Sequence, residues 1–328
     1  MSTLQTPTLP SGVKTAPDNA YDLALLQLGR RLQADGYRFT TVTPLTHERN
    51  NAREENRKAR SLRDVFGWNR PFETDLLPAA ELEALLESGV LRAHAGLWVS
   101  EVRWSNLDDL LFVHSSFPTL AHDSVFFGPD TYRFAQAIEE HLRTSSHPIK
   151  NAVDIGSGSG VGAILIGRAR RDAQVLALDI NPTALRYTAV NAALAGTENV
   201  SAWHSDILAS ASGEFDLIVA NPPYMQDTQE RAYRHGGGRL GSELSIRILA
   251  QAINRLSLGG TLILYTGAPS VDGVDLFLES ARALVDVPGL AWTYREMDPD
   301  VFGEELETAN YAKAERIAAV FLTVTRTS

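Results

Sequence analysis

The chain has 328 residues, 44% of them hydrophobic and 21% charged, which suits a folded protein of about two domains and excludes a disordered one. A formal net charge of −10, with 40 acidic residues against 30 basic, disfavours a protein that coats nucleic acid or membrane by charge alone. With no cysteine, the chain has no disulfide, thiolate metal site or cysteine nucleophile. Residues 1–20 scatter Pro7, Pro10 and Pro17 among Ser, Thr and Gly and read as a flexible tail. They lack the apolar stretch of a secretory leader, and no apolar run approaches the roughly 20 residues of a membrane helix, so a cytoplasmic protein is expected. Tyr21 to Ala34 places Leu25, Leu28 and Leu32 on one helical face before Gly36. Glu48 to Arg63 mixes both charge signs with few apolar residues and reads as a solvated helix or loop. Pro78 to Gly89 reads as a helix with Leu82, Leu85 and Leu86 inward. Two strands follow, Val90 to Arg92 and Leu97 to Arg103, around His94-Ala95-Gly96. This is the outline of a winged-helix-like α+β unit within an accessory domain over 21–120. Its helix carries Glu81, Glu83 and Glu87 and no basic residue, so phosphate repulsion argues against DNA docking and favours a structural or substrate-positioning role.

From about residue 121 strands and helices alternate. Asn151–Ile155, Gln174–Asp179, Asn199–Trp203, Phe215–Ala220 and Thr261–Thr266 are short apolar runs suited to buried parallel strands. Asn181 caps one intervening helix, Pro182 begins it and Gly196 follows it. Ser242 opens another, and Gly259-Gly260 is expected to close it. The last two strands, near Leu290–Glu296 and Ile317–Arg326, are spaced too closely for a full crossover helix and are expected to pair antiparallel. The fold class is doubly wound α/β over 121–328.

The first strand runs into Val153-Asp154-Ile155-Gly156-Ser157-Gly158-Ser159-Gly160. Glycines there let the backbone turn tightly and approach a ligand at a helix N-terminus. A dinucleotide-binding turn wants a third glycine where this chain has Val161, which disfavours a nicotinamide-linked oxidoreductase. Asp179 ends the second strand about 20 residues on, where a carboxylate can accept both hydroxyls of a ribose. Ser205-Asp206-Ile207 follows the third strand, and Asn221-Pro222-Pro223-Tyr224 follows the fourth. Prolines alone could simply end a strand. They explain neither the Asn before them nor the Tyr after them.

The spacing Gly156-x-Gly158-x-Gly160, with Asp154 ahead of it, resembles the first motif of class I S-adenosylmethionine (SAM) methyltransferases. Asn221-Pro222-Pro223-Tyr224 resembles the motif of their amino-group members, such as release-factor glutamine methyltransferases and adenine-N6 methyltransferases. The resemblance covers about residues 121–328. It implies a seven-stranded Rossmann-like methyltransferase domain with SAM as cofactor and no metal. It also implies that Asp154, Gly156, Ser157, Gly158 and Gly160 take the amino-acid end of SAM. Asp179 and Ile180 would take the ribose, Asp206 the adenine amino group, and Ile207 would pack on the ring. Asn221, which also borders the cofactor, and the Pro222 carbonyl would accept the acceptor's N–H groups. Tyr224 would stack on the planar group, with positioning supplying most of the catalysis. Pro223, with Arg234 and Arg239 of the glycine-rich 231–239 loop, would meet the substrate; Arg231 belongs to the same basic loop. At Phe127-Gly128-Pro129-Asp130, release-factor methyltransferases have an Arg-Pro segment over the cofactor, and here Gly128 replaces the Arg. Asp298 to Tyr311 is an acidic insertion suited to shaping a substrate channel.

The implied reaction is methyl transfer to a planar nitrogen. A protein glutamine or other amide, or a small-molecule nitrogen, is favoured by the acidic charge. An RNA or DNA base amine is the alternative, and a SAM-binding regulatory module without turnover is the non-enzymatic one. The residues alone do not specify the acceptor, the role of the N-terminal domain, the pathway or the oligomeric state.

Overall fold

The computed structural model describes residues 17–226 and 233–328, apart from the side chain of Arg239. The expected tail therefore lies almost wholly outside the described residues. Helix α1 (Ala20–Ala34) begins where the Asn19 side chain accepts the Asp22 N–H. The charged stretch that follows forms the short helices α2 (Pro44–Asn51) and α3 (Leu62–Phe66), then α4 (Ala79–Glu87). Strands β1 (Leu91–His94) and β2 (Leu97–Ser100) make the expected hairpin after α4. The strand expected over Leu97–Arg103 is broken, because the Ser100 hydroxyl bonds both the C=O and the N–H of Val102. Beyond the break, β3 (Val102–Leu107) and β4 (Leu110–Ser115) form a second hairpin, buried on both faces. Its mixed sequence, with Arg103 and His114 paired across the strands, hid it from pattern reading.

The remainder follows in the order α5 (Pro129–Thr144), β5 (Asn151–Ile155), α6 (Val161–Ala169), β6 (Gln174–Asp179), α7 (Pro182–Ala195), β7 (Val200–His204) and β8 (Phe215–Ala220). Then come α8 (Glu243–Ile253), β9 (Leu256–Val271), the short β10 (Val274–Asp275), α9 (Leu276–Val285), β11 (Leu290–Asp298) and β12 (Arg316–Arg326). The sheet order is β11-β12-β9-β8-β5-β6-β7, with β10 attached to β9. Strands β7, β6, β5, β8 and β9 run parallel, and β12 and β11 complete the sheet antiparallel, as expected. Gly259-Gly260 does not close α8. The helix ends at Ile253, and the glycines lie in β9 beside a register shift against β8, where Gly259 takes a φ of 81°.

Two apolar cores sandwich the sheet. One joins it to α5 and α6 through Phe134, Ile138 and Ile164. The other joins it to α8 and α9 through Ile248, Leu249 and Phe277. A third core packs the N-terminal region onto α7, through Leu25, Trp104 and Val113 against Ala184, Tyr187 and Val190. Buried Asn191 of α7 reinforces that contact, its amide exchanging hydrogen bonds with Val113 N–H (2.8 Å) and C=O (3.1 Å). Among the described residues no helix is long and apolar enough to cross a membrane. Strand order reverses between β5 and β8, and such switch points open the crevice at the carboxyl ends of parallel strands where ligands bind.

Candidate active site

The carboxyl ends of β5, β6 and β8 and the start of α5 surround a cleft of about 1330 Å³, part of it open to solvent. At its floor the glycine turn leaves β5. Gly156 and Ser157 donate to the Leu178 carbonyl at 2.8 and 3.0 Å, pinning the turn to β6. Gly156, Gly158 and Gly160 have φ of 69°, 56° and 83°, a left-handed run that other residues adopt only under strain. A Cβ on Gly160 would lie 2.9 Å from the Thr188 side chain, whereas one on Gly156 would meet nothing within 4 Å. Gly160 is thus required by packing, and Gly156 leaves its backbone open to a ligand. Ser157 is buried beside Thr188.

Asp154 is buried and accepts the Ala163 N–H at 3.0 Å, so it also anchors the N-terminus of α6. Burial pushes its carboxyl up to about 7, and nearby Asp179 adds to the rise. Asp179 is shifted upward too, by burial, against the lowering effect of its backbone donors. Those donors fix its aim: Gly158 N–H at 2.9 Å on one oxygen and Asn181 N–H at 2.9 Å on the other. The Asn181 side chain meanwhile caps α7 at the Thr183 N–H. Ile180 is 54% exposed, Asp206 is exposed and 3.3 Å from Arg247, and Ile207 is buried. All three border the cleft. A backbone-lined floor, an aimed carboxylate and flanking apolar side chains suit a nucleoside carrying an amino-acid tail.

Asn221, Pro222, Pro223 and Tyr224 line the opposite side. No hydrogen bond among the described residues engages the Asn221 side-chain amide. Tyr224 is more constrained than an open stacking platform. It is buried, and its hydroxyl donates to Asp130 at 2.7 Å. The other Asp130 oxygen accepts the Tyr265 hydroxyl at 2.6 Å. Arg133 joins Asp130 (3.1 Å) to Asp298 (2.7 Å), the last residue of β11. Phe302 packs near Tyr224 with ring centroids 6.1 Å apart, and Tyr233 stacks near Phe126.

Arg234 lines the cleft, but its guanidinium pairs with Glu305 of the acidic insertion. The basic loop and the insertion therefore meet each other, and the positive charge expected to await an anionic substrate is balanced within the chain. Arg231 lies outside the described residues, as does the side chain of Arg239, whose backbone forms a short turn. At Gly128 an added Cβ would lie 2.5 Å from the Phe126 ring, so Phe126 fills the space a side chain would need at this position. Sequence reasoning left Asp130, Tyr265, Phe126, Phe302 and Tyr233 without a role. Asp130 alone carried a signal, as an acid directly after the Pro that starts α5.

Residues 120–269 match the family model of the methyltransferase small domain. The chain is similar to the glutamine methyltransferases. It is 31% identical over 187 residues to the release factor glutamine methyltransferase of Deinococcus radiodurans, covering 54% of this chain and 63% of that one. It is 33% identical over 146 residues to the enzyme of the same name from Rhodopirellula baltica, covering 40% and 49%. The ribosomal protein uL3 glutamine methyltransferase of Bordetella pertussis is 37% identical over 131 residues, covering 36% and 44%. The chain thus spans less than two thirds of the length of these relatives. The matched segment contains the glycine turn, Asp179, Asp206 and the Asn221–Tyr224 motif; the acidic insertion lies beyond it.

Proposed function

We propose that the chain is a SAM-dependent N-methyltransferase whose acceptor is a glutamine side-chain amide of a protein. The observation that carries this reading is the meeting, across one cleft, of the glycine turn and Asp179 with Asn221-Pro222-Pro223-Tyr224. SAM, when bound, supplies an electrophilic methyl on a sulfonium. Asp154 would meet its ammonium, the glycine turn its carboxylate, Asp179 and Ile180 its ribose, and Asp206 and Ile207 its adenine. The Asn221 amide oxygen and the Pro222 carbonyl would each accept one N–H of the acceptor. Proline restricts the backbone, so these acceptors are preorganised, and holding the nitrogen in line is the main catalytic contribution.

Charge in the acceptor half supports an amide over a nucleic acid. Arg234 is paired with Glu305, Asp130 is engaged by two hydroxyls, and Phe126, Met225, Tyr233 and Phe302 supply an apolar, aromatic wall. A neutral, flat group suits such a wall, whereas a phosphate backbone wants unpaired cations. The names of the relatives support the same acceptor class. Residues 21–120 are proposed to help position the acceptor protein. The test is incubation with methyl-labelled SAM and, in parallel, purified release factor, ribosomal protein uL3 and total RNA. Label in a protein glutamine supports the reading. Label in RNA replaces it with base methylation, and SAM binding without transfer to any of these or to cell extract replaces it with a regulatory role.

A further inference from the structure

The buried carboxylate of Asp130 lies outside the motifs that suggest methyl transfer, yet it borders the same cleft. We infer that Asp130 is a positioning residue that fixes the ring of Tyr224 as one wall of the acceptor pocket. This rests on the reading of Tyr224 as acceptor-facing. Asp130 is 5% exposed, and an ionised carboxylate is costly to bury unless its lone pairs are filled. Here they are filled by the Tyr224 hydroxyl, the Tyr265 hydroxyl and Arg133. Burial above all, and then the Asp130 charge and the hydrogen bond to it, hold the Tyr224 phenol in its neutral, donating form.

The ring is fixed at a second point by absent side chains. A Cβ on Gly267 of β9 would lie 2.3 Å from Cδ2 of Tyr224. One on Gly236 would lie 2.8 Å from the Tyr224 Cα, and one on Gly241 2.2 Å from its carbonyl oxygen. Gly267 shows no left-handed φ, so what demands glycine there is the space the ring occupies. The side chain is thus held at its hydroxyl by a charge-assisted hydrogen bond and at its ring and backbone by close glycine contacts. Phe302 and Tyr265 leave the ring little room to tilt. A hydroxyl bound this firmly is not available to donate to an acceptor. What Tyr224 offers is the plane and distance of its ring, and Asp130 sets both.

The test compares D130N, Y224F, the D130N/Y224F pair and G267A with the wild-type chain. SAM affinity from calorimetry should stay within about threefold in all four. Single-turnover methyl transfer to purified release factor or uL3, whichever the wild type labels, should fall roughly tenfold in D130N and in Y224F, as expected for losing a charge-assisted hydrogen bond. The double variant should be no slower than D130N alone, because Y224F takes away a bond that D130N has already weakened. G267A should be slower than either, since the ring itself must move. Additive losses, or D130N losing SAM affinity in step with rate, would make Asp130 a structural residue and overturn the proposal. NMR of tyrosine ring carbons, with the Tyr224 signal assigned from its loss in Y224F, decides independently of any acceptor. D130N should shift and broaden that signal, and an unchanged one overturns the proposal. A wild type that labels neither protein counts against the proposed acceptor, and the ring signal still decides the role of Asp130.

Discussion

The two halves of the cleft are built by different means. The half proposed to take the cofactor is mostly backbone: three left-handed glycines, two N–H donors on Asp179 and the N-terminus of α6, all within residues 154–181. The half proposed to take the acceptor is mostly side chains from separate stretches: Phe126 and Asp130, Tyr224, Tyr233 and Arg234, Tyr265, and Phe302 with Glu305. A backbone site is set by local conformation. A side-chain site exists only once distant segments have packed. The first suits a ligand that never changes, and the second lets the acceptor change without disturbing it.

Breaking each half in turn should separate binding from chemistry. The largest effect is expected from Asn221→Ala. Loss of a preorganised electrostatic contact typically costs on the order of 10²–10³ in rate. Single-turnover transfer should fall by that much while SAM affinity changes little; transfer at the wild-type rate would reduce the motif to a strand-ending turn. Asp179→Ala should do the reverse. SAM and its demethylated product should both bind at least about tenfold more weakly by calorimetry, since both carry the ribose that this carboxylate would hold.

A smaller effect concerns pH. Burial raises the Asp154 carboxyl to about 7, and only the ionised form attracts an ammonium. SAM affinity should therefore be greatest near pH 7–8, falling toward about tenfold per unit below pH 7 as Asp154 is protonated and falling again above about pH 8 as the α-ammonium of SAM loses its proton, and Asp154→Asn should remove the acid limb. In the ligand-free chain the sign is opposite. A carboxyl raised in the folded state favours folding where it is protonated, and that advantage is lost as pH rises through about 7. The smallest change is expected from Phe302→Ala. Opening one wall should raise the Michaelis constant for the acceptor severalfold, with SAM affinity unchanged.

The difference between the halves also explains what could be read in advance. Glycine spacing, Asp179 after a buried strand and Asn221 before two prolines are local patterns, and the parallel strands were legible because each is a short apolar run. Asp130 and Tyr265 are 135 residues apart, and no local pattern signals that their side chains meet. The β3–β4 hairpin was missed because its buried faces carry Arg103, Ser105 and His114, which pattern reading assigns to solvent. Arg234 was read as open positive charge because Glu305, 71 positions later, could not be placed beside it.

Asn191 does more than fasten two cores together. The amide that holds Val113 of the N-terminal hairpin also donates to the Ser159 carbonyl at 2.8 Å, inside the glycine turn. One side chain therefore takes part in both the seating of the N-terminal region and the shape of the cleft's floor. Thermodynamic linkage makes that traffic two-way. Were SAM to steady the turn and, through Asn191, the hairpin, an acceptor protein seated on the hairpin would have to raise the affinity for SAM by the same factor. Cofactor and acceptor would then sense each other through a single buried amide without touching, whichever of them bound first.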